Sequence, residues 1–332
     1  MGEFPAARLV KLPDRVTAAG AREAGITLSV HEAGHGPAVV LCHGFPELAY
    51  SWRHQIPVLA AAGFRVIAPD QRGYGGSDAP EGVPAYDLEH LTADMVGLLD
   101  ALSIDRAIFV GHDWGGFVAW AMPVLHPNRT AGVIGVNTPY LAFPTTDMLR
   151  MVFPDDDKLY ILWFQKPGVA EAVLDGQPRL VFEKLMRRGV AGRSMIQAGR
   201  EGRDANPFRR LEGMEPPGAP LLTEEDIAVY TRGYGRHGFR GPINWYRNID
   251  ENNRRHPDFG VRKLELPCLM ITAEWDAALP PALAAGMPAL CSDLETHMIG
   301  ECGHWTQQDK PEELNRLMSD WLTRRFSPAP GR

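Results

Sequence analysis

The six residues GHDWGG, at positions 111–116, follow the apolar run AIFV and place a carboxylate among glycines. A strand, a sharp turn with one central polar residue and a helix start form the layout of a nucleophile elbow, here with Asp113 where serine is usual. Glycines fit beside such a residue because the turn strains the backbone and neighbouring Cβ atoms would clash. A carboxylate cannot perform the acyl transfer of serine, but it can displace a leaving group from sp³ carbon and form an alkyl ester.

An alkyl ester on Asp113 must then be hydrolysed, which requires a base that takes a proton from water. His304, in the loop GECGHW, is the predicted base, and Asp276, in the segment ITAEWD, is predicted to orient its ring and stabilise the imidazolium. The tetrahedral oxyanion of this step needs backbone N–H donors, which we assign to Trp114 and to Phe45 of the segment HGFP. The chain order nucleophile, acid, histidine matches the α/β-hydrolase plan.

Other polar residues near these segments are expected to have no chemical role. His43 and His112 adjoin the two predicted oxyanion donors, and we expect both to pack or to bond backbone there. Asp70 and Asp78, in DQRGYGGSD, are not accompanied by a His, Cys or carboxylate cluster at metal-ligand spacing. The sequence therefore predicts an enzyme without cofactor or metal.

The elements that must position these residues alternate between strand and helix patterns. Short apolar runs bounded by turn residues predict strands at 39–42, 64–68, 107–110, 133–137 and 267–272, with a helix pattern at 88–102. This alternation indicates an α/β fold, the α/β-hydrolase fold, with a mostly parallel sheet flanked by helices. From 139 to 257 the pattern changes to helical segments interrupted by Gly and Pro. We therefore predict a core domain at 1–138 and 258–332 with an inserted helical cap domain at 139–257.

The composition excludes several classes of function. A chain of 332 residues can bury a sizeable core without a disulfide, and its four cysteines, which form no CxxC pair, are interpreted as reduced core residues. The formal net charge of -7 argues against nucleic-acid binding. No leader-like N-terminus and no run of roughly 20 apolar residues is present, so we expect a soluble cytoplasmic protein with no membrane contact.

Seven segments together resemble the soluble-type epoxide hydrolases of the α/β-hydrolase fold: HGFPE, DQRGYGGSD, GHDWGG, WFQKPGVAEA, GFRGPINWYRN, AEWD and CGHWTQQDKPEELN. The resemblance extends from about Ile26 to Trp321. It implies that the aspartate attacks an epoxide carbon while two tyrosines of the cap donate hydrogen bonds to the epoxide oxygen. Tyr246, in NWYRN, matches one of these tyrosines.

The second tyrosine of the family pattern is replaced by an indole. The family has Tyr at the head of the motif that reads here Trp163-Phe164-Gln165. An indole N–H donates a hydrogen bond but does not release a proton as a phenol can. Tyr160 lies one helical turn upstream, on a similar face, and is the alternative to Trp163 as the second group at the substrate. Trp114 and Trp163 are also predicted to form walls of an apolar substrate pocket.

The resemblance and the residues together predict hydrolysis of a small apolar epoxide by water to a vicinal diol. The alternative on the same fold is a haloalkane dehalogenase, in which the indoles of Trp114 and Trp163 would hold the departing halide; Tyr246 in its NWYRN setting argues against it. A second alternative is a non-catalytic receptor that binds a small ligand under the cap. An exposed apolar face on the cap would support a homodimer, which periodicity alone does not locate.

Overall fold

The computed structural model describes residues 4–17 and 20–326. Its strands are, in chain order, β1 (Ala7–Lys11), β2 (Arg15–Val16), β3 (Arg22–Glu23), β4 (Thr27–Ala33), β5 (Ala38–Cys42), β6 (Arg65–Pro69), β7 (Ala107–His112), β8 (Thr130–Val136), β9 (Leu264–Ala273) and β10 (Cys291–Ile299). Eight of them form one sheet in the order β1-β4-β6-β5-β7-β8-β9-β10, and β2 pairs with β3 separately. β4 is antiparallel to β1 and β6, and the other neighbours in the large sheet are parallel. The mostly parallel sheet is confirmed.

The central strands are apolar on both faces because helices cover both sides of the sheet. Every residue of β5 and β7 is buried. Within β5, Val39 and Leu41 belong to one hydrophobic cluster, while Val40 and Cys42 belong to the other. This alternation follows the two-residue period of a strand. The four cysteines are free and buried.

The described helices are α1 (Ile56–Ala61), α2 (Leu88–Ala101), α3 (Trp114–Leu125), α4 (Thr146–Val152), α5 (Tyr160–Trp163), α6 (Val169–Leu174), α7 (Pro178–Leu185), α8 (Met195–Arg200), α9 (Glu224–Gly235), α10 (Arg240–Arg247), α11 (Ile249–Arg255), α12 (Met287–Leu290), α13 (Thr306–Asp309) and α14 (Pro311–Phe326). Helices α4 to α11 all lie between β8 and β9. This part of the chain, residues 139–257, is called the helical segment below. It matches the predicted insertion in character, and the division into two domains stays a prediction.

Helix α9 attaches the helical segment to the end of the sheet that carries the site. It begins with a capping box, in which Thr223 and Asp226 each bond the other's backbone N–H. Asp226 also contacts the core, with its Oδ1 3.2 Å from Arg53 Nε, and the Tyr230 hydroxyl lies 2.7 Å from Ser51 Oγ. Both core residues follow β5, so the helical segment lies over the carboxyl edge of the sheet.

Candidate active site

Asp113 lies in a strained turn between β7 and α3. Its backbone has φ 51° and ψ -124°, a conformation that non-glycine residues rarely adopt. The glycines around it permit close backbone contacts. A Cβ on Gly111 would lie 2.1 Å from the carbonyl oxygen of Gly115, and a Cβ on Gly115 would lie 2.1 Å from that of Cys42. The structure therefore has the elbow geometry that the sequence predicts.

The two oxygens of the Asp113 carboxylate have different surroundings. The backbone N–H of Phe45 donates to Oδ1 at 2.8 Å, and Oδ2 lies 3.6 Å from His304 Nε2. Trp114 is the first residue of α3, and N–H groups in the first turn of a helix have no partner within the helix. Phe45 follows β5 and Trp114 begins α3, so both residues adjoin the nucleophile, and their role as oxyanion donors stays a prediction.

His304 is held at its other ring nitrogen by Asp276. His304 Nδ1 lies 2.9 Å from Asp276 Oδ2, which also accepts a 2.7 Å hydrogen bond from the Asn137 side-chain amide. Asp276 Oδ1 accepts from the backbone N–H groups of Ala278 and Leu279 at 2.8 and 2.9 Å. Burial alone would raise the pKa of Asp276, but the charge of His304 and these hydrogen bonds lower it to about 2. Asp276 is therefore ionised at neutral pH.

The pKa of His304 is set by two opposing influences. Burial lowers it, whereas the carboxylates of Asp276 and Asp113 raise it, and the net result is a pKa well above the usual value for histidine. Asp113 acts on the ring through its charge, with its Oδ2 3.6 Å from His304 Nε2. The imidazolium is consequently favoured for as long as both carboxylates are ionised.

A buried acid and histidine lie behind the site, and the sequence analysis did not foresee this pair. His112 Nδ1 lies 2.8 Å from Glu47 Oε2, and His112 Nε2 lies 2.7 Å from the backbone carbonyl oxygen of His304. Gln307 donates to Glu47 Oε1 at 2.7 Å. Burial would raise the pKa of Glu47, but the charge of His112 and its hydrogen bond lower it to about 2. His112 bonds backbone as expected, and in addition it pairs with an ionised carboxylate.

The sequence did contain one indication of the pair formed by Glu47 and His112, namely the acidic residue at the end of the segment HGFPE. Because this segment follows a buried strand, its acid is expected to be buried as well, and a buried acid needs a partner that compensates its charge.

His43 is also buried, and its Nε2 accepts from the backbone N–H of Gln71 at 3.1 Å. The prediction that His43 bonds backbone is thus confirmed.

A cavity of about 380 Å³ opens above the nucleophile, between the helical segment and the carboxyl edge of the sheet. The core contributes Asp113, His304 and Phe45 to its lining. The helical segment contributes Tyr160 and Tyr246 together with apolar side chains such as Phe208, Met195, Met214 and Val190. A cavity of this size and character fits a small, mainly apolar molecule.

Tyr160 and Tyr246 both face this cavity, with ring centroids 5.7 Å apart. Burial, and after it the negative charge of Asp113, raises the pKa of Tyr160. Burial is also the main cause of the raised pKa of Tyr246. Both hydroxyls are therefore protonated at neutral pH and can act as hydrogen-bond donors.

The two candidate indoles lie elsewhere. Trp163 is absent from the described lining of the cavity and packs against Phe164, with ring centroids 5.7 Å apart. Trp114 is also absent from that lining, and its ring centroid lies 5.1 Å from that of Tyr246. Of the two residues that the sequence left open as the second cap group, the structure brings Tyr160 to the nucleophile.

Two kinds of feature are absent from the part of the chain that the structure describes. Within residues 4–17 and 20–326, no helix has the length and apolar character needed to cross a bilayer. In the same ranges, no three His, Cys, Asp or Glu side chains are grouped as metal ligands would be. The cytoplasmic location, the absence of a cofactor and the homodimer stay predictions.

Comparison with known proteins agrees with this geometry. Residues 37–311 match the model of the alpha/beta hydrolase fold family. Epoxide hydrolase A from Mycobacterium tuberculosis is 41% identical over 316 residues, covering 90% of this chain and 95% of that protein. The crystal structure of epoxide hydrolase A from Mycobacterium thermoresistibile has a TM-score of 0.81 and 36% identity, covering 98% of this chain and 100% of the other.

A mammalian relative is longer than this chain. Bifunctional epoxide hydrolase 2 from Sus scrofa is 42% identical over 305 residues, and the match covers 90% of this chain but 53% of the relative. The chain thus spans about half the length of that relative. The family resemblance and the fold expected from the sequence are both confirmed by the family model and by these relatives. The chain belongs to the epoxide hydrolases of the α/β-hydrolase fold.

Proposed function

We propose that the protein hydrolyses a small apolar epoxide to a vicinal diol through a covalent ester on Asp113. One observation carries the proposal: Asp113, His304, Tyr160 and Tyr246 all line one mainly apolar cavity. The names of the relatives support the same reaction. The proposal includes the predicted domain division, with residues 139–257 as a cap that supplies the tyrosines.

In the first step Asp113 Oδ2 attacks an epoxide carbon, because Oδ1 is engaged by the N–H of Phe45. A carbon–oxygen bond forms to the carboxylate while the ring carbon–oxygen bond breaks, and its electron pair moves to the epoxide oxygen. That oxygen takes a proton from one of the two tyrosines, Tyr160 or Tyr246, while the other donates a hydrogen bond. Charge developing on the oxygen is thereby neutralised in a mainly apolar cavity.

In the second step His304 takes a proton from water, and the hydroxide adds to the ester carbonyl carbon. The N–H groups of Phe45 and Trp114 hold the resulting oxyanion. Its collapse breaks the bond to the alkyl oxygen, which receives the proton from His304 and leaves as the diol. The carboxylic acid that remains on Asp113 returns its proton to the phenolate, directly or through solvent, so the enzyme is regenerated with one water consumed.

Ester formation itself prepares the base for this second step. The carboxylates of Asp276 and Asp113 both raise the pKa of His304 in the free enzyme. Esterification removes the charge of Asp113 beside the ring and leaves Asp276 as the carboxylate that favours the imidazolium. The displaced negative charge lies on the phenolate formed in the first step, and the imidazolium releases its proton to solvent. The pKa of His304 therefore falls when the ester forms, and the neutral ring that can accept a proton becomes more populated.

Haloalkane dehalogenation is not favoured on this geometry. The sequence-based alternative requires the indoles of Trp114 and Trp163 beside the leaving halide. Both residues are absent from the described lining of the cavity, where two phenols stand instead. Phenols that donate to a basic oxygen suit an epoxide better than a weakly accepting halide.

The test is intact-mass analysis of the His304→Gln variant after mixing with styrene oxide. Loss of the base should leave the ester on the protein, seen as a mass gain equal to the whole epoxide. The Asp113→Asn variant is the matched control, because it keeps the size of the side chain and removes the nucleophile. An adduct that persists in this control would contradict the proposed role of Asp113, and an adduct formed only with a bromoalkane would favour dehalogenation.

A further inference from the structure

The loop that carries His304 meets a wall of the cavity backbone to backbone at two glycines. We call residues 300–305 the histidine loop and residues 185–190, which begin at the last residue of helix α7, the wall loop. A Cβ on Gly189 would lie 2.2 Å from the backbone nitrogen of Gly303, and a Cβ on Gly303 would lie 2.5 Å from the Cα of Gly189. Two glycines therefore allow the helical segment to approach the histidine loop more closely than any side chain would permit.

One carboxylate bonds both of these glycines. Asp309 Oδ2 accepts from the backbone N–H of Gly189 at 3.0 Å and from that of Gly303 at 3.2 Å. The side chain of Asp309 is 2% exposed, and its Oδ1 lies 3.9 Å from the guanidinium of the exposed Arg188. Hydrogen bonds from N–H groups to a buried carboxylate are stronger than those between neutral groups, and their loss would leave a buried charge unsatisfied.

A second bond joins the same two loops on the other side of the histidine. The indole N–H of Trp305 donates to the backbone carbonyl oxygen of Leu185 at 2.8 Å. The residues before and after His304 are thus both tied to the wall loop, while the core holds the ring through Asp276. The wall loop also lines the cavity, through Leu185, Gly189 and Val190 among others.

We propose that Asp309 is a positioning residue that clamps the wall loop onto the histidine loop, so that closure of the cavity and placement of the base for ester hydrolysis depend on one carboxylate. This inference rests on the ester mechanism proposed above. Asp309 touches neither the substrate cavity nor the reacting atoms, and it acts through Gly303, the residue next to His304. Because the base must direct a water at the ester carbonyl, a small displacement of the loop affects the hydrolytic step most.

A merely structural role would give a different result. Loss of a stabilising bond would lower the fraction of folded protein, and both ester formation and ester hydrolysis would fall in proportion. Loss of the clamp leaves Asp113 in place, since its elbow belongs to the core, and slows hydrolysis alone. The ratio of the two rate constants therefore separates the two roles.

The experiment is single-turnover reaction of styrene oxide with excess enzyme, quenched at intervals and read by intact mass for the ester and by chromatography for the diol. We expect Asp309→Ala to slow ester hydrolysis about tenfold, with ester formation within about twofold of wild type. Asp309→Asn should recover most of the hydrolysis rate, because its amide oxygen can accept from the same two N–H groups. Gly189→Ala should also slow hydrolysis, because its Cβ forces the two loops apart.

Asp226→Asn is the control. Asp226 also links the helical segment to the core, through Arg53 and Tyr50, but it lies outside the described cavity lining. We expect this variant to lose stability and to keep the wild-type ratio of the two rates. Thermal unfolding of every variant reports the folded fraction, and if Asp309→Ala does not fold, Gly189→Ala and Asp309→Asn carry the test.

An unchanged ratio of the two rates in both Asp309→Ala and Gly189→Ala would overturn the clamp. The clamp would also be overturned if the rates of ester formation and ester hydrolysis both fell in these variants in proportion to the fraction of unfolded protein. If the wild-type protein forms neither ester nor diol with any epoxide tried, the proposed function fails, and the clamp fails with it.

Discussion

The core edge and the helical segment contribute to the cavity in different ways. The core edge supplies Asp113, His304 and Asp276, each fixed by hydrogen bonds to neighbouring backbone or polar side chains. The helical segment supplies Tyr160 and Tyr246, which sit among other rings; Tyr246, for example, has its centroid 5.3 Å from that of Phe45 and 5.1 Å from that of Phe164. One region is positioned by polar bonds and the other by aromatic packing.

This difference suggests separate roles for the two regions in the proposed reaction. The proposed attack by Asp113 would require atoms placed within about half an ångström, which rigid strand ends and directed hydrogen bonds can provide. In the proposed mechanism, the proton for the epoxide oxygen comes from Tyr160 or Tyr246, whose rings are held by aromatic packing. Changes at the core edge should therefore stop the reaction, whereas changes in the helical segment should slow it or alter its substrates.

Asp113→Asn is expected to have the largest effect. The amide cannot attack the epoxide carbon, so the steady-state rate with styrene oxide should fall by about four orders of magnitude or more. The fold should persist, because the amide oxygen of Asn can still accept from the N–H of Phe45. Diol formation by chromatography, with circular dichroism for the fold, checks this; residual activity above one part in a hundred would break the proposed division.

Phe in place of either tyrosine is expected to have the next largest effect. Each of Tyr160→Phe and Tyr246→Phe removes one donor to the epoxide oxygen and should lower the rate of ester formation about a hundredfold. Ester hydrolysis should change little, because that step uses His304. Rapid-quench measurement of the two steps tests the prediction; an effect confined to hydrolysis would place the tyrosines in the wrong step.

The third prediction concerns the pKa of His304. Asp113 is one of the two carboxylates that raise this pKa, so the Asp113→Asn variant should show a lower pKa for His304 than the wild-type protein. The variant represents the ester, since both are uncharged. Titration of the ring by NMR spectroscopy is the measurement. An unchanged or higher value would mean that ester formation does not prepare the base.

Trp163→Phe should have the smallest effect. Its ring packs within the helical segment, outside the described lining of the cavity, so we expect the rate to stay within about threefold and the stability to fall modestly. The measurement is the steady-state rate of diol formation by Trp163→Phe, compared with that of Tyr160→Phe under the same conditions. A larger loss in Trp163→Phe than in Tyr160→Phe would reverse the assignment of the second donor.

Much of the core edge was predictable because its signals are local. The elbow could be read from glycines on either side of one aspartate, and the apolar runs located the strands that precede Asp113 and Asp276 to within a few residues. The parallel order followed from alternating strands and helices. The structure brings these three residues together, and their catalytic roles stay a prediction.

The helical segment and the supporting contacts could not be predicted in the same way. Helix α5 has a single turn, from Tyr160 to Trp163, so helical spacing did not determine which of the two rings faces the cavity. The contact of Asp309 with Gly189 joins residues 120 positions apart in the chain, and that of Asn137 with Asp276 joins residues 139 apart. Such contacts depend on how whole elements pack, and a single sequence carries little information about them.

The backbone of Asp113, at φ 51°, affects which substitutions selection would favour at this position. Strain of this kind costs on the order of 1–3 kcal/mol, and glycine would relieve it at no steric cost. The most stable residue at position 113 is therefore expected to be one that cannot react. A population of variants selected only for resistance to heat would tend to lose the nucleophile first, while selection for turnover keeps it.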